Sequence, residues 1–202
     1  MKGIDISQHN GEIDWDKVKS DKNVDFVILR CGFGIDAPNQ EDRRFAENYA
    51  ACKRLHIPVG AYHYSYANSV RSAEEEARFC LKLISGKKFE FPIFCDIEEK
   101  MHLMRGNCDD IASAFCDMLE ANGCFAGIYT FDSFARTNLT DKTKKRYAMW
   151  IARIGGKPRY SPYGIHQYAW DKKISGISGD TDADRCLINY PDIIVKKHFN
   201  GY

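Results

Sequence analysis

The sequence lacks the features that mark a membrane protein or a nucleic-acid binder. No stretch of the 202 residues approaches the roughly 18 apolar residues in a row that a bilayer-spanning helix needs. The 29 basic and 28 acidic side chains leave a net charge of +1, whereas nucleic-acid binders usually carry a basic patch. We therefore expect neither membrane insertion nor nucleic-acid binding. The sequence does not indicate an oligomer, and our working expectation is a monomer.

A secretion signal is also missing from the first residues. Met1 and Lys2 lead directly into Gly3-Ile4-Asp5, without the apolar segment of about 7–15 residues that a signal peptide contains. Two alternatives remain open: the protein is made without a signal, or the sequence begins after one was removed.

Metal-binding and redox motifs are absent as well. The eight cysteines form no C-x-x-C pair, and the six histidines form no paired motif. Most cysteines lie in apolar segments, as Cys95 does, which is typical of small, buried and reduced side chains. We expect no metal and no cofactor.

The chain contains alternating strand-like and helix-like segments. Apolar runs predict strands at 3–7, 25–30, 59–64, 91–96, 125–130 and 147–153. Helical patterns cover 14–20, 41–55, 72–83 and 109–122. Asp14 is the predicted N-cap of the first helix, and Ser72 with Glu75 is the predicted capping box of the third. After Gly164 we expect short β-segments at 165–168 and 188–190.

This alternation predicts an α/β fold with a parallel sheet covered by helices. Five strand–helix units followed by further strands favour a closed or nearly closed barrel. An open, doubly wound sheet is the main alternative, but no G-x-G-x-x-G follows the first strand. No linker or repeat divides the chain, so we expect a single catalytic domain over residues 1–202.

Acidic and aromatic residues recur where the predicted strands end. In parallel sheets, catalytic and binding residues lie mostly at the C-terminal ends of the strands. The residues at these ends include Asp5, Tyr62, Tyr64, Asp96, Glu98 and Tyr129, and the tail supplies Asp180, Asp182 and Asp184.

Asp96 and Glu98 form the most informative pair. Residues i and i+2 of a strand point the same way, roughly 6.5–7 Å apart, and two crowded carboxyls raise the pKa of one of them. A protonated carboxyl beside an ionised one is what glycosidic cleavage requires. The alternative is that acids follow strands simply because loops are solvated. Asp5 strengthens the catalytic interpretation, because an acid in an apolar strand is costly unless it is used or paired.

The sequence also predicts where four other polar residues lie. We expect His63 to line a pocket without binding a metal, and Arg30 to pair with one of the acids. Glu99 should face away from Glu98, out of the site, and His9 should be an ordinary surface residue.

Six segments, in this order, resemble glycoside hydrolase family 25, the Chalaropsis-type lysozymes of bacteria, phages and fungi. The resemblance covers nearly the whole chain. The matching segments are Gly3-Ile4-Asp5-Ile6-Ser7 with Ile13-Asp14-Trp15, then Phe26-Val27-Ile28-Leu29-Arg30, Gly60-Ala61-Tyr62-His63-Tyr64, Phe94-Cys95-Asp96-Ile97-Glu98, Gly127-Ile128-Tyr129-Thr130 and Met149-Trp150-Ile151-Ala152.

The resemblance implies an irregular TIM-like barrel of five β/α units and three further strands. It also implies cleavage of the β-1,4 bond between N-acetylmuramic acid and N-acetylglucosamine in bacterial peptidoglycan. By position, Glu98 is the general acid, and Asp96 is its partner, acting as nucleophile or as stabiliser of the substrate acetamido group. Asp5 positions this pair, and Asp182 is a fourth acid. The implied substrate-binding residues are Tyr62, Tyr64, Tyr129, Trp150, Gln167, Tyr168, Arg30 and His63.

Two positions depart from the family pattern. His166 stands where Trp is common, which would remove an aromatic face from a sugar subsite, and Asp184 replaces an Asn. Three other functions compete with the muramidase: a non-catalytic sugar-binding module, a metal-dependent deacetylase, and a glycosidase acting on a chitin-like polymer. We expect the protein to act on the bacterial cell wall after secretion or release at lysis.

Overall fold

A closed barrel of eight strands forms the framework of the computed structural model, which describes residues 1–99 and 108–202. Neighbours in the barrel follow sequence order. Strands β1 to β7 pair in parallel, and β8 is antiparallel to both β7 and β1. The strands are β1 (Lys2–Ile6), β2 (Phe26–Phe33), β3 (Val59–Tyr64), β4 (Ile93–Asp96), β5 (Ala126–Phe131), β6 (Ala148–Ala152), β7 (Ile165–Lys172) and β8 (Thr181–Cys186).

Seven α-helices are found in the described part of the chain, together with a short 3-10 helix at Gln8–Asn10. They are α1 (Trp15–Ser20), α2 (Phe45–Arg54), α3 (Val70–Ile84), α4 (Cys108–Ala121), α5 (Asp132–Asn138), α6 (Asp141–Arg146) and α7 (Tyr190–Lys196). None of the helices in these ranges is long and apolar enough to span a membrane. The expected α/β barrel is confirmed.

Alternation along the strands separates an outer layer from an inner layer. Outward side chains such as Val27, Val59 and Ile128 are completely buried beneath the helices. Inward side chains such as Phe94 and Trp150 form a separate buried cluster inside the barrel. Both layers exclude water, which explains why the strands appear as nearly continuous apolar runs.

Aromatic rings close the end of the barrel where the parallel strands begin. Phe26 and Phe91 stack with ring centroids 4.3 Å apart, and Tyr190 of α7 meets Phe91 edge-on at 6.1 Å. A polar cavity is therefore confined to the opposite end.

Gly127 makes room for the inner aromatic layer. A Cβ at this position would lie 2.5 Å from two ring carbons of Phe94, closer than any van der Waals contact. The missing side chain allows the Phe94 ring to lie against β5, two residues before Asp96.

Two local predictions are wrong. The N-cap of α3 is Ser69, whose hydroxyl oxygen accepts a hydrogen bond from the backbone N–H of Ser72. In return, the hydroxyl oxygen of Ser72 accepts one from the backbone N–H of Ser69. Glu75 instead pairs with Arg71 on the helix surface. The strand expected at 188–190 is the beginning of α7, where the Asn189 side chain caps the helix and Pro191 occupies its first turn.

Candidate active site

A cavity of about 300 Å³ opens at the carboxyl ends of the parallel strands. The structure brings together here the four predicted acids and six of the eight predicted substrate-binding residues. The lining residues are Asp5, Ser7, His9, Asn10, Arg30, Tyr62, Tyr64, Asp96, Glu98, Tyr129, Trp150, Gln167 and Asp182.

The barrel topology explains why acids distant in sequence converge. Asp5 lies near the end of β1 and Asp96 is the last residue of β4. Because β8 is antiparallel to β1, its beginning lies at the same end of the barrel, and Asp182 is directly opposite Asp5 in the ladder.

Asp96 and Glu98 differ in their environment. Burial and the nearby Glu98 raise the pKa of Asp96 well above its usual range, while Arg30 acts in the opposite direction. Burial also raises the pKa of Glu98, with Glu99 and Asp182 adding to the effect, although a hydrogen bond from Tyr64 opposes it. Glu98 is only partly buried, so its proton is within reach of a bound substrate.

A buried polar network underlies the cavity. Asp5 Oδ2 accepts a 2.8 Å hydrogen bond from Gln167 Nε2, and Gln167 Oε1 accepts one of 2.9 Å from the Tyr129 hydroxyl. Asp184, which has no exposed surface, accepts a 2.7 Å hydrogen bond from Trp150 Nε1. This network fixes the orientation of Asp5.

The tyrosines of the cavity act as hydrogen-bond donors. Burial raises the pKa of Tyr62 and of Tyr129 well above the usual range, so both hydroxyls keep their protons. The Tyr64 hydroxyl donates to Glu99 at 2.7 Å. Glu99 does not line the cavity, but it contacts a residue that does.

Arg30 binds an acid that sequence reasoning missed. Its Nε is 2.9 Å from Asp42 Oδ2, and the Asp42 side chain is nearly fully buried. Asp42 also accepts from the backbone N–H groups of Gln8 and Arg44. The Arg30 side chain is 10% exposed and lines the cavity, where it lowers the pKa of Asp96.

The prediction that His63 lines the cavity is wrong. His63 lies between two inward-facing tyrosines, so the alternation of β3 directs it outward, where it is fully buried. Its ring packs edge-on against Phe79 of α3, and its Nε2 is 2.8 Å from the carbonyl oxygen of Gly34.

Tyr168 also lies on the outside of the barrel. It packs against His166 and under the Arg185 guanidinium, whereas Gln167 between them points inward. His166 Nε2 is 2.8 Å from the Arg153 carbonyl oxygen. The His166 departure therefore removes no aromatic face from the cavity.

Several residues at the mouth of the cavity were not predicted to bind substrate. Ser7, His9 and Asn10 line the cavity, although His9 is as exposed as expected for a surface residue. Trp170 is half exposed, and its Nε1 donates to Gln167 Oε1 at 3.1 Å. An exposed tryptophan hydrogen-bonded to a cavity residue is a candidate surface for stacking a sugar.

Within residues 1–99 and 108–202, one group of side chains has the spacing of metal ligands, and it lies outside this cavity. The ligand atoms of Cys31, His63 and Cys80 are all within 4.8 Å of one another in the outer layer. Cys31 Sγ is 3.8 Å from Cys80 Sγ and donates to the Tyr62 carbonyl oxygen. These contacts pair the side chains with one another and with the backbone.

A family model for glycosyl hydrolases family 25 matches residues 4–177. The autolytic lysozyme of Clostridium acetobutylicum is 30% identical over 186 residues, which make up 91% of this chain and 55% of that protein. The chain thus spans about half the length of this curated relative.

Two solved structures of cell-wall lytic proteins are also similar to this chain. The catalytic domain of an endolysin from a bacteriophage of Listeria monocytogenes is 25% identical with a TM-score of 0.81, covering 100% of this chain and 98% of that one. The modular autolysin LytC from Streptococcus pneumoniae, in complex with a synthetic peptidoglycan ligand, is 29% identical with a TM-score of 0.80, covering 91% and 46% respectively. Because the family model matches most of its length, the chain belongs to glycosyl hydrolases family 25.

Proposed function

We propose that the chain is a muramidase that cleaves the β-1,4 bond between N-acetylmuramic acid and N-acetylglucosamine in peptidoglycan. The observation that carries this proposal is the convergence of Asp5, Asp96, Glu98 and Asp182 in one cavity at the carboxyl ends of the strands. The pneumococcal neighbour, whose structure holds a synthetic peptidoglycan ligand, supports this choice of substrate.

Glu98 serves as the general acid. Burial raises its pKa, which increases the fraction that carries a proton at mildly acidic and neutral pH. Its partial exposure places that proton at the open side of the cavity. Glu98 donates the proton to the glycosidic oxygen as the bond from that oxygen to the anomeric carbon breaks.

Asp96 serves, in its ionised form, as the partner that stabilises the positive charge on the sugar. Arg30 favours this form because it lowers the pKa of Asp96. Its Oδ1 is buried and has no hydrogen-bond donor among the described residues. This oxygen can therefore accept from the acetamido N–H of the sugar, while the acetamido oxygen closes on the anomeric carbon. Water then opens the ring intermediate with Glu98 as base, and the product retains its configuration.

The remaining cavity residues bind the sugar and contribute to the charge of the cavity. Tyr62 keeps its proton and can donate to a sugar oxygen. The Tyr129 hydroxyl donates to Gln167, so it can accept from a sugar hydroxyl. Tyr64 and Trp150 add aromatic surface to the same cavity. Burial raises the pKa of Asp182 to about 6, so this acid changes charge between mildly acidic and neutral pH.

The cavity is built from residues of one chain, and we propose a single catalytic domain over residues 1–202 that acts as a monomer. Its place of action is the bacterial cell wall, which it reaches by secretion or by release at lysis.

The test is digestion of purified peptidoglycan, followed by identification of the new reducing ends. A muramidase leaves N-acetylmuramic acid at the reducing end. Glu98→Gln keeps the shape of the side chain but removes the proton, so it should lower kcat by about 10²–10⁴-fold while the melting temperature stays close to that of the wild type.

Glu12→Gln is the matched control, because Glu12 is an exposed acid outside the cavity. N-acetylglucosamine ends, or preferential cleavage of chitin oligomers, would refute the substrate assignment. Glu98→Gln retaining a tenth of the wild-type activity would refute the assignment of the acid.

A further inference from the structure

Asp184 is an acid of the barrel interior that the proposed reaction does not use. It lies on β8 opposite Gly3 of β1 and Gln167 of β7, and it is fully buried. One carboxyl oxygen, Oδ1, accepts from Trp150 Nε1. The other, Oδ2, has no hydrogen-bond donor among the described residues.

The neighbour of this carboxyl is another carboxyl. The side chains of Asp184 and Asp5 are within hydrogen-bonding reach of each other. Asp5 already accepts from Gln167 Nε2 through its Oδ2. Each acid thus has one oxygen occupied by a neutral donor from the barrel wall.

No cation in the part of the chain that the structure describes neutralises the two acids. Among residues 1–99 and 108–202, neither Asp5 nor Asp184 takes part in an ion pair. The side chains that face them from β6 and β7 are Trp150 and Gln167, which are neutral. Asp182 on β8 acts on both acids and adds to the repulsion.

Two ionised carboxylates cannot occupy this position together. Carboxylate oxygens are acceptors only, so a hydrogen bond between the two groups requires a proton on one of them. Burial and the neighbouring acid favour keeping that proton. Consistent with this, burial raises the pKa of Asp184 to about 8, and burial together with Asp184 raises that of Asp5 well above its usual range.

We propose that Asp5 and Asp184 share one proton, and that through this hydrogen bond Asp184 is the positioning residue that holds Asp5 at the floor of the cavity. The positioning role rests on the proposed function, because Asp5 belongs to the acid cluster of that reaction. The shared proton is a property of the folded chain and does not depend on which substrate is cleaved.

The pair also explains why an acid can stand where the family pattern has Asn. An amide in this place would donate an N–H to Asp5 and accept from Trp150 with its oxygen. A protonated carboxyl supplies the same donor and the same acceptor. Asp184 differs from an amide in that its donor is lost when the proton leaves.

The first test compares the pH dependence of stability for Asp184→Asn and the wild type. A buried acid with a raised pKa stabilises the fold fully below its unfolded pKa of about 3.9, and this contribution is lost as pH rises towards the folded value of about 8. The variant lacks this loss. The difference in melting temperature, variant minus wild type, should therefore be more positive at pH 8 than at pH 5 by on the order of 5–10 °C.

Asp132→Asn is the matched control, because Asp132 is also buried. Burial acts to raise the pKa of Asp132, but hydrogen bonds from Tyr160 and Arg153 outweigh it and lower the pKa. The melting temperature of this variant relative to the wild type should stay constant between pH 5 and pH 8. The same constant difference for Asp184→Asn would overturn the shared proton.

The second test detects the proton directly and examines the positioning role. Infrared difference spectra at pH 7 should show that Asp184→Asn loses the C=O stretch of one protonated carboxylic acid, while the stretches of the other protonated acids, such as Glu98, remain. Asp184→Ala, which cannot donate to Asp5, should lower kcat at least tenfold below Asp184→Asn. An unchanged infrared band overturns the shared proton, and equal kcat values overturn the positioning role. The stability and infrared measurements need no substrate, so their outcome is distinct from failure of the proposed muramidase activity.

Discussion

Glu98 is set apart from the other acids of the cavity by the hydroxyl group of Tyr64. This hydroxyl donates to Glu99 at 2.7 Å, and its interaction with the Glu98 carboxyl lowers the pKa of Glu98. Burial acts in the opposite direction, and the net pKa of Glu98 is raised. Tyr64 therefore limits how strongly the proposed acid holds its proton.

Tyr64→Phe should move the alkaline limb of the pH–rate profile to higher pH. The variant removes a hydrogen bond to the ionised form of Glu98, so its pKa rises further and the proton is kept to higher pH. The measurement is kcat/KM on soluble wall fragments across the pH range. Tyr66→Phe is the control, because Tyr66 packs against the Tyr64 ring without lining the acid cavity. An alkaline limb that stays in place would mean that another group controls it.

Individual site residues were predictable to different degrees. Asp5, Asp96 and Glu98 could be placed from the sequence because acids at the ends of parallel strands converge. The prediction for His63 fails because its neighbours Tyr62 and Tyr64 face the cavity, and residues i and i+1 of a strand face opposite sides. Asp42 carries no local signal, since its contact with Arg30 exists only once the chain has folded back on itself.

Among the helices, α3 shows how one turn of displacement changes a capping assignment. The pattern Ser72-x-x-Glu75 fits a capping box, but the helix begins one turn earlier, after Ser69. Ser69 and Ser72 each accept from the backbone N–H of the other. Glu75 is free of that role and forms an i,i+4 ion pair with Arg71.

Replacing each candidate cap by alanine separates the two assignments. Ser69→Ala should lower the free energy of unfolding by about 1 kcal/mol, because the N-cap oxygen is lost. Glu75→Ala, the control, should cost at most about 0.5 kcal/mol, the usual value of an exposed helix ion pair. Urea denaturation measures both. A larger loss for Glu75→Ala than for Ser69→Ala would contradict the observed cap.

The prediction of a short strand at 188–190 is wrong, although the alternation of apolar residues in this segment is compatible with one. Ile188 and Tyr190 flank Asn189, which fits a strand by period alone. However, Asn189 followed by Pro191 is also a helix-start signal, with a capping side chain and a proline in the first turn. Capping chemistry would have been the better guide here, because three residues are too few to establish a period.

On the scale of the whole molecule, closure of the barrel determines which acids meet. The alternation of strands and helices predicted a parallel sheet and its active end. It could not predict that β8 returns antiparallel beside β1, which brings Asp182 and Asp184 next to Asp5. That pairing joins residues at the two ends of the chain, where no local pattern exists. Only the family resemblance distinguishes Asp182 from the neighbouring tail acids Asp180 and Asp184.

The closed barrel also fixes the position of Asp96 relative to the bound sugar. Asp96 ends β4, which is paired on both sides by β3 and β5, so its carboxyl moves little. A carboxyl about 5–5.5 Å from the acid attacks the anomeric carbon directly, and one about 6.5–9.5 Å away leaves room for water. The acetamido group of the substrate allows a third route, in which Asp96 accepts from the acetamido nitrogen and never bonds to the sugar.

We therefore expect a retained product and an intermediate penalty for Asp96→Asn. The amide can still orient the acetamido group but supplies no negative charge, so kcat should fall by about 10²-fold, less than for Glu98→Gln. Proton NMR of the reducing end formed first from a soluble wall fragment distinguishes the routes. An initial β-anomer agrees with assistance by the acetamido group. An initial α-anomer would mean that water attacks directly, with Asp96 as the base that activates it.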